Sequence, residues 1–535
     1  MTLPVTVSGG VASRRIWQAP TRAPNLSAMT TTEPIAATAV PPAPARMTAR
    51  QVAALVALLA AQFMLAADFS VLNVALPEVG TALGFSTGGL QWVVTVFTLC
   101  AAGCTLVFGR LGDYLGRRRV FTAGMTVLAL ASLVGGVAGS PAMLLCARVL
   151  QGLATAAVTP AALALLTTAF TEPALRTRAL GLNSVMMSSG FSVGAVLGGL
   201  LTDVLSWRWA FFVNIPVALA AMFVVPRVVG ADDPRHDGAG ADGAGADGAG
   251  ADGAGDGNSR RHGRIDLPGA VLSTAGLFAG VYGVTRAGEH GLDAPAAVSL
   301  LAAVVLVGTF WRVENRTADA LIPVRILKRP EIALGNLAAL FVFGGETALI
   351  FFTGLYVQDV LGLSSLVAGL VLLGIGVGQI IAGTLGPRLL RRVPQRTLLG
   401  VSLTLQGAFM LPLSAATADP RWLVPLVATQ FVNAFFSMTA ALSFMVIATS
   451  SADAGTQGMA TGMATESQQV GMAIGIPLAS AVFVAAAGPG VPTAVGRLTG
   501  IHLAIGAVAL CQIAAGLLIR AALRRAAAGR RQRTH

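Results

Sequence analysis

Two carboxylates stand inside apolar runs. Asp68 lies in Ala67-Asp-Phe-Ser-Val-Leu-Asn-Val-Ala-Leu-Pro77, and Glu346 in Gly345-Glu-Thr-Ala-Leu-Ile350. An ionised carboxylate in hydrocarbon costs roughly 2.5–3.5 kcal/mol even on lenient insertion scales, so each must be paired, protonated or wetted by a cavity. Such a group can carry a proton or hold a cation, or it can simply hydrogen-bond between helices. Arg148 and Gln151 open a further apolar run, Arg148-Val-Leu-Gln-Gly-Leu-Ala-Thr-Ala156, three residues apart and therefore on one helix face. Measured from the outer ends of their runs, Asp68 and Arg148 both sit roughly 10–12 Å deep at 1.5 Å per residue. That common depth allows an ion pair, either structural or broken and remade during a functional cycle. Glu466 falls at the cytoplasmic start of a later run, where a helix N-terminus favours a carboxylate without any further role. No Walker motif, Gly-rich nucleotide loop, Ser/His/Asp arrangement or metal-ligand cluster accompanies these residues. The expectation is a protein that is not an enzyme, has no cofactor and no metal, and draws its energy from an ion gradient.

The elements that position these side chains are helices in a membrane. The chain has 535 residues, of which 55% are hydrophobic and 11% charged, and its mean hydropathy is +0.74. A soluble protein carries about 25% charged residues. Apolar runs of membrane-helix length recur throughout and exceed the length of β-barrel strands. Fourteen spans are placed near 52–76, 90–109, 119–138, 142–166, 179–202, 209–228, 268–286, 295–312, 333–356, 365–387, 397–414, 422–447, 467–487 and 500–521. The net charge of +12 does not indicate nucleic acid, because the basic residues fall in short loops and tails between spans. With both termini inside, the external loops carry only Arg208, Arg286, Arg421 and Arg497, which is the asymmetry that sets orientation. Cys100, Cys104, Cys146 and Cys511 all lie within apolar segments, so no disulfide framework is expected.

Residues 1–50, rich in Pro, Ala and Thr and lacking an apolar signal-type core, read as a disordered cytoplasmic tail. Residues 51–230 form a first six-helix bundle, 231–264 a flexible cytoplasmic linker, and 265–315 a two-helix insert. A second six-helix bundle occupies 316–522, and 523–535 form a basic cytoplasmic tail. In the linker, Asp237, Asp242, Asp247 and Asp252 recur in a Gly/Ala repeat with no aliphatic side chain to pack, which is the composition of a solvated spacer. The halves echo one another. Gly383-Thr-Leu-Gly-Pro-Arg-Leu-Leu-Arg-Arg392 aligns with Gly109-Arg-Leu-Gly-Asp-Tyr-Leu-Gly-Arg-Arg118, and Gly471-Met-Ala-Ile-Gly475 with Gly190-Phe-Ser-Val-Gly194. Both matches relate a span to the one eight later, as parallel repeats do.

The segment between spans two and three packs Gly109, Gly112 and Gly116 with Arg110, Arg117, Arg118, Arg119 and one carboxylate, Asp113. Glycines permit a tight reversal, and the arginines hold it on the cytoplasmic side. This pattern resembles the loop between spans two and three of the major facilitator superfamily. The segment around Asp68 resembles the span-one motif of that superfamily's fourteen-span drug:proton antiporters, with Ala67 and Ser70 as departures. Arg148, Gln151 and Gly152 resemble the superfamily's span-four motif. Gly190, Gly194, Gly198 and Gly199 resemble the antiporters' span-five glycine motif, with Ala195 where that family has Pro. The run Trp207-Arg-Trp-Ala-Phe-Phe-Val-Asn-Ile-Pro216 is also typical of the same antiporters.

The resemblance implies an all-α polytopic membrane protein: two six-helix facilitator bundles with a two-helix insert, 14 transmembrane helices in all. It implies a plasma-membrane antiporter that exchanges protons for a hydrophobic or cationic small molecule, with the lipid bilayer as its other partner. Asp68, Arg148, Gln151 and Glu346 are then candidates for proton coupling and substrate binding. Gly109, Arg110, Gly112, Asp113, Gly116 and Arg117 form a conformational-switch loop. The alternatives are a facilitator for a metabolite and a non-transporting membrane receptor.

Overall fold

Each apolar run folds as a helix because backbone N–H and C=O groups in hydrocarbon must satisfy one another. Capping residues stand where the runs begin and end. The Thr48 hydroxyl accepts from Gln51 N at 3.2 Å, while Gln51 Oε1 accepts from Thr48 N at 3.0 Å. Gly84, at φ +71°, closes the same helix. Ser140 and Ser364 start later helices by accepting the amides of Met143 and Val367. The computed structural model describes residues 47–85, 87–170, 172–230, 267–316, 329–449, 457–487 and 494–533. The N-terminal tail to residue 46 and the Asp/Gly/Ala repeat lie outside the described residues.

The principal helices are α1 (Ala49–Leu83), α2 (Trp92–Leu115), α3 (Arg117–Gly136), α4 (Pro141–Ala169), α5 (Pro173–Val204), α6 (Asn214–Val228), α7 (Leu267–His290) and α8 (Ala294–Arg316). They continue as α9 (Pro330–Leu355), α10 (Ser365–Arg392), α11 (Gln395–Ala408), α12 (Leu423–Thr449), α13 (Gln457–Ala487) and α14 (Ala494–Arg533). Among the described residues, 12 helices are long and apolar enough to cross a membrane. The other two are α2, whose apolar stretch is the shorter Trp92–Thr105, and α7.

Three boundaries differ from the sequence expectation. The glycine–arginine segment is mostly helix: α2 runs through Leu115, α3 starts at Arg117, and Gly116 alone makes the reversal at φ +97°. Glu466 is not at a helix N-terminus, because α13 begins at Gln457 and places it about two and a half turns inside. Hydropathy marks where a helix becomes apolar, not where it starts. Residues 523–533, expected as a tail, prolong α14 through Arg533, consistent with the high helix propensity of Ala and Arg.

Packing follows a repeated scheme. Within the first half, α1 packs on α5 and α6, α4 on α2 and α3, and α3 on α6. Eight helices later the same pairs recur: α9 on α13 and α14, α12 on α10 and α11, and α11 on α14. The halves meet through α5 against α10 and α2 against α13, again related by that shift. Helices α7 and α8 pack on one another, and α7 also contacts α2 and α13. Their hairpin is closed by Arg286 and Asp293, Nη2 to Oδ2 at 2.8 Å. The amide of Ala296, and then Arg286, hold the Asp293 carboxyl below its ordinary pKa.

Glycines set the closest approaches. On α5, a Cβ at Gly194 would lie 2.8 Å from Ala67 Cα, and one at Gly198 2.7 Å from Val71 Cα, both on α1. On α13, Gly475 has the same relation to Gly344 of α9, at 2.6 Å. Only glycine admits backbones this near one another.

Candidate functional site

Asp68 and Arg148 meet. Arg148 Nη1 lies 2.7 Å from Asp68 Oδ2, and both side chains are buried, at 0% and 4% exposure. Gln151, one turn along α4, accepts from the same Nη1 at 2.8 Å and donates to Asp68 Oδ1 at 3.3 Å. The i, i+3 spacing read from the sequence therefore places both α4 side chains on one carboxylate of α1.

Two further residues complete the network. Asn214, at the start of α6, donates its amide to Asp68 Oδ1 and to Ser132 Oγ of α3. Ser132 Oγ also accepts from Gln151 Nε2 at 3.0 Å. Arg148 Nε donates to Val93 O of α2 at 3.0 Å, and its guanidinium carbon stands 4.0 Å from the centre of the Phe97 ring. Gly152 makes this possible, because a Cβ there would lie 2.8 Å from Cys100 Cβ and hold α2 away. One carboxylate thus draws together α1, α2, α3, α4 and α6.

The network is not saturated. Arg148 Nη2 and Asn214 Oδ1 are buried without a hydrogen-bond partner. Nη2 carries two of the guanidinium's five donors, and their being unfilled beside a carboxylate leaves capacity for a proton-dependent rearrangement or a polar ligand. Asn214 stood in the sequence within the run from Trp207 to Pro216, where the resemblance gave it no role at the site, and Ser132 stood alone in an apolar helix. An amide at the very start of an apolar span was the signal for Asn214. Ser132 offered none.

Glu346 occupies a separate network. Its Oε1 accepts from Gln379 Nε2 of α10 at 2.6 Å, and its Oε2 from Ser437 Oγ of α12 at 2.7 Å. It is 8% exposed, and among the described residues no Arg or Lys forms an ion pair with it. The glycine contacts show that it is not the counterpart of Asp68. Gly194 sits over Ala67 and Gly475 over Gly344, so Asp68 corresponds to Gly345, one residue earlier. The space beside Gly345 is filled by the Gln512 amide of α14, as Asn214 of α6 reaches Asp68. The second half therefore keeps the amide, lacks the carboxylate at that position, and turns its own acid toward α10 and α12.

The remaining sequence-predicted residues donate to or accept from neither carboxylate in the hydrogen bonds of the described residues. Gly109 and Gly112 are on the last turns of α2, and Gly116 is the reversal. Arg118 ties the start of α3 to the end of α6 through Pro226 O at 3.2 Å and Val229 O at 3.3 Å. Arg110 and Arg117 each make further interactions. The side chain of Asp113 lies outside the described residues. Gly190, Gly194 and Gly198 face α1, whereas Gly199 faces α10 across the contact between halves, where a Cβ would lie 2.6 Å from Leu366 Cα. Ala195 is fully buried at the same contact, beside Gly369.

Comparison with known proteins accords with this architecture. The family pattern of the Major Facilitator Superfamily matches residues 58–476. The chain is 34% identical to puromycin resistance protein pur8 of Streptomyces alboniger, over 87% of this chain and 90% of that protein. It is 38% identical to cephamycin export protein CmcT of Amycolatopsis lactamdurans, over 69% of this chain and 72% of that protein. In fold it is similar to the crystal structure of the POT family transporter PepTSo, with a TM-score of 0.62 at 14% identity, covering 90% of this chain and 99% of that one. With its many apolar helices, its repeated halves and a family match over most of its length, the chain belongs to the Major Facilitator Superfamily and is a multi-pass membrane transporter, not an enzyme.

Proposed function

We propose that the protein is a proton-coupled antiporter that exports hydrophobic or cationic small molecules across the bacterial cell membrane, with fourteen spans and both termini in the cytoplasm. The observation that carries the reading is the buried Asp68–Arg148 pair, held by Gln151 and Asn214 and left with both Nη2 donors of the guanidinium unfilled. Protonation of Asp68 removes the charge that Arg148 faces and leaves a buried guanidinium uncompensated, which is strongly unfavourable. The helices must then rearrange or Arg148 must find another acceptor. Either response links proton uptake to the relative positions of α1, α2, α4 and α6.

Under this reading α1–α6 and α9–α14 are the two moving bundles, and α7–α8 is an inserted hairpin. Glu346 supplies the second charge, for a cationic substrate. One charge crossing 100 mV is worth about 2.3 kcal/mol, so inward proton movement can drive outward substrate movement. The names of the relatives, one for resistance to puromycin and one for cephamycin export, support export as the direction and antibiotic-like molecules as the substrate class.

The test is transport in inverted membrane vesicles with an imposed proton gradient. Accumulation of lipophilic cations or antibiotics, with substrate-dependent collapse of the gradient, is the expected result. Gradient-independent movement of every compound tested would replace antiport with facilitated diffusion.

A further inference from the structure

A groove of about 920 Å³ runs between α7, α8 and α13. Its walls include Gly280 and Val284 of α7, Leu300, Val304 and Gly308 of α8, and Pro477 of α13. The lining is aliphatic almost throughout, with Trp311 and Arg312 at one end. Gly308 keeps the groove open, since a Cβ there would meet nothing within 4 Å. Helix α8 is the most peripheral of the apolar helices, with 6% of its span buried against 78% for that of α9. The groove therefore belongs to the surface that meets the bilayer, outside both carboxylate networks.

Its dimensions and charge point to one occupant. From Leu300 to Arg312 the α8 wall is about 18 Å long at 1.5 Å per residue, close to the roughly 15 Å that one leaflet contributes to the hydrocarbon core. Arg312 is exposed and has no carboxylate partner among the described residues. It lies within the last turns of α8 beside Trp311, an indole of the type that settles at headgroup level. Basic positions between spans on the cytoplasmic side attract anionic headgroups.

We propose that this groove is a binding site for an anionic glycerophospholipid of the inner leaflet, its acyl chains along Val304 and Gly308 and its phosphate on Arg312. The leaflet assignment rests on the orientation given under the proposed function, but binding itself requires no transport. The lipid fills the space between α8 and α13, which α7 alone bridges, at the side where α2 and α13 join the halves.

The test uses the full-length protein in detergent, with native mass spectrometry after addition of dioleoylphosphatidylglycerol or dioleoylphosphatidylethanolamine. The wild type is expected to retain the anionic lipid in preference. Arg312→Gln should weaken retention of phosphatidylglycerol about fivefold and that of zwitterionic phosphatidylethanolamine less, so that the preference falls, and Arg421→Gln, a charge loss at the opposite end, should change neither. Gly308→Phe, whose Cβ meets nothing within 4 Å and whose ring would occupy the groove, should lose both lipids. An unchanged lipid preference in Arg312→Gln, or full retention of both lipids in Gly308→Phe, would overturn the proposal. So would displacement of tetraphenylphosphonium in place of lipid by Gly308→Phe, which would make the groove a substrate vestibule. Because no gradient is present, failure here leaves the antiport reading intact, and failure of antiport leaves this measurement unaffected.

Discussion

Asp203, at the end of α5, accepts the backbone N–H of Ser365 at 3.1 Å, and its second oxygen accepts that of Leu366, also at 3.1 Å. A carboxylate of one half thus caps the first turn of α10 in the other, one turn beyond the Gly199 contact with the same segment. Gln358 reinforces the link between halves by donating to Val74 O of α1 at 2.9 Å and accepting from Ser365 Oγ at 2.8 Å. Asp203→Ala should favour separation at this end. The side chain is exposed, so about 0.3–1 kcal/mol is expected, a two- to fivefold shift. Distances between spin labels at Leu205 and Leu361 in liposomes would report it as a larger fraction of long separations.

Gly198 and Val71 set the spacing of α1 and α5. Gly198→Ala places a methyl 2.7 Å from Val71 Cα, where backbone must move, and overpacking of this kind costs about 1–3 kcal/mol. Thermal unfolding in detergent should show a clear loss of stability. Gly475→Ala, at the position that repeats Gly194, where a Cβ would lie 2.6 Å from Gly344 Cα, should behave alike. Gly181→Ala on the same helix, with nothing within 4 Å, should be neutral or slightly stabilising.

The parts of this site legible in the sequence were those that break an apolar background. Asp68, Arg148 and Glu346 stand out because charge in a span is costly, and equal depth was enough to pair the first two. The i+4 spacing of Gly190, Gly194 and Gly198 marked a close crossing but could not name α1 as its partner, since that depends on helix order in three dimensions. Asn214 and Ser132 were overlooked because a neutral polar group in a span carries little penalty and so little signal. Hydropathy likewise missed the polar first turns of α13, and with them the half-buried Glu466, whose buried Oε2 has no hydrogen-bond partner among the described residues.

Glu346→Gln tests the second carboxylate without disturbing the fold. A glutamine can satisfy Gln379 and Ser437, because the Gln379 amide can reverse and the serine hydroxyl can accept. Export of cationic compounds should fall at least tenfold while export of neutral ones persists. Parallel vesicle assays with the two classes decide it, and equal losses in both would mark Glu346 as structural.

Gly116→Ala addresses the reversal between α2 and α3. At φ +97° a Cβ is strained, by about 1–3 kcal/mol. Substrate affinity in detergent is expected to stay within about twofold, because the turn touches neither carboxylate network, while turnover in vesicles drops. A large affinity loss with normal turnover would contradict that separation.

The central claim is that proton coupling runs through the Asp68–Arg148 pair, and Asp68→Asn in inverted vesicles measures it most directly. The substitution keeps the volume and removes the charge, and equilibrium substrate binding confirms that the variant is folded. The account predicts retained binding and downhill movement with loss of uphill, gradient-driven transport and of substrate-dependent proton flux. Full proton-driven export by Asp68→Asn would contradict it.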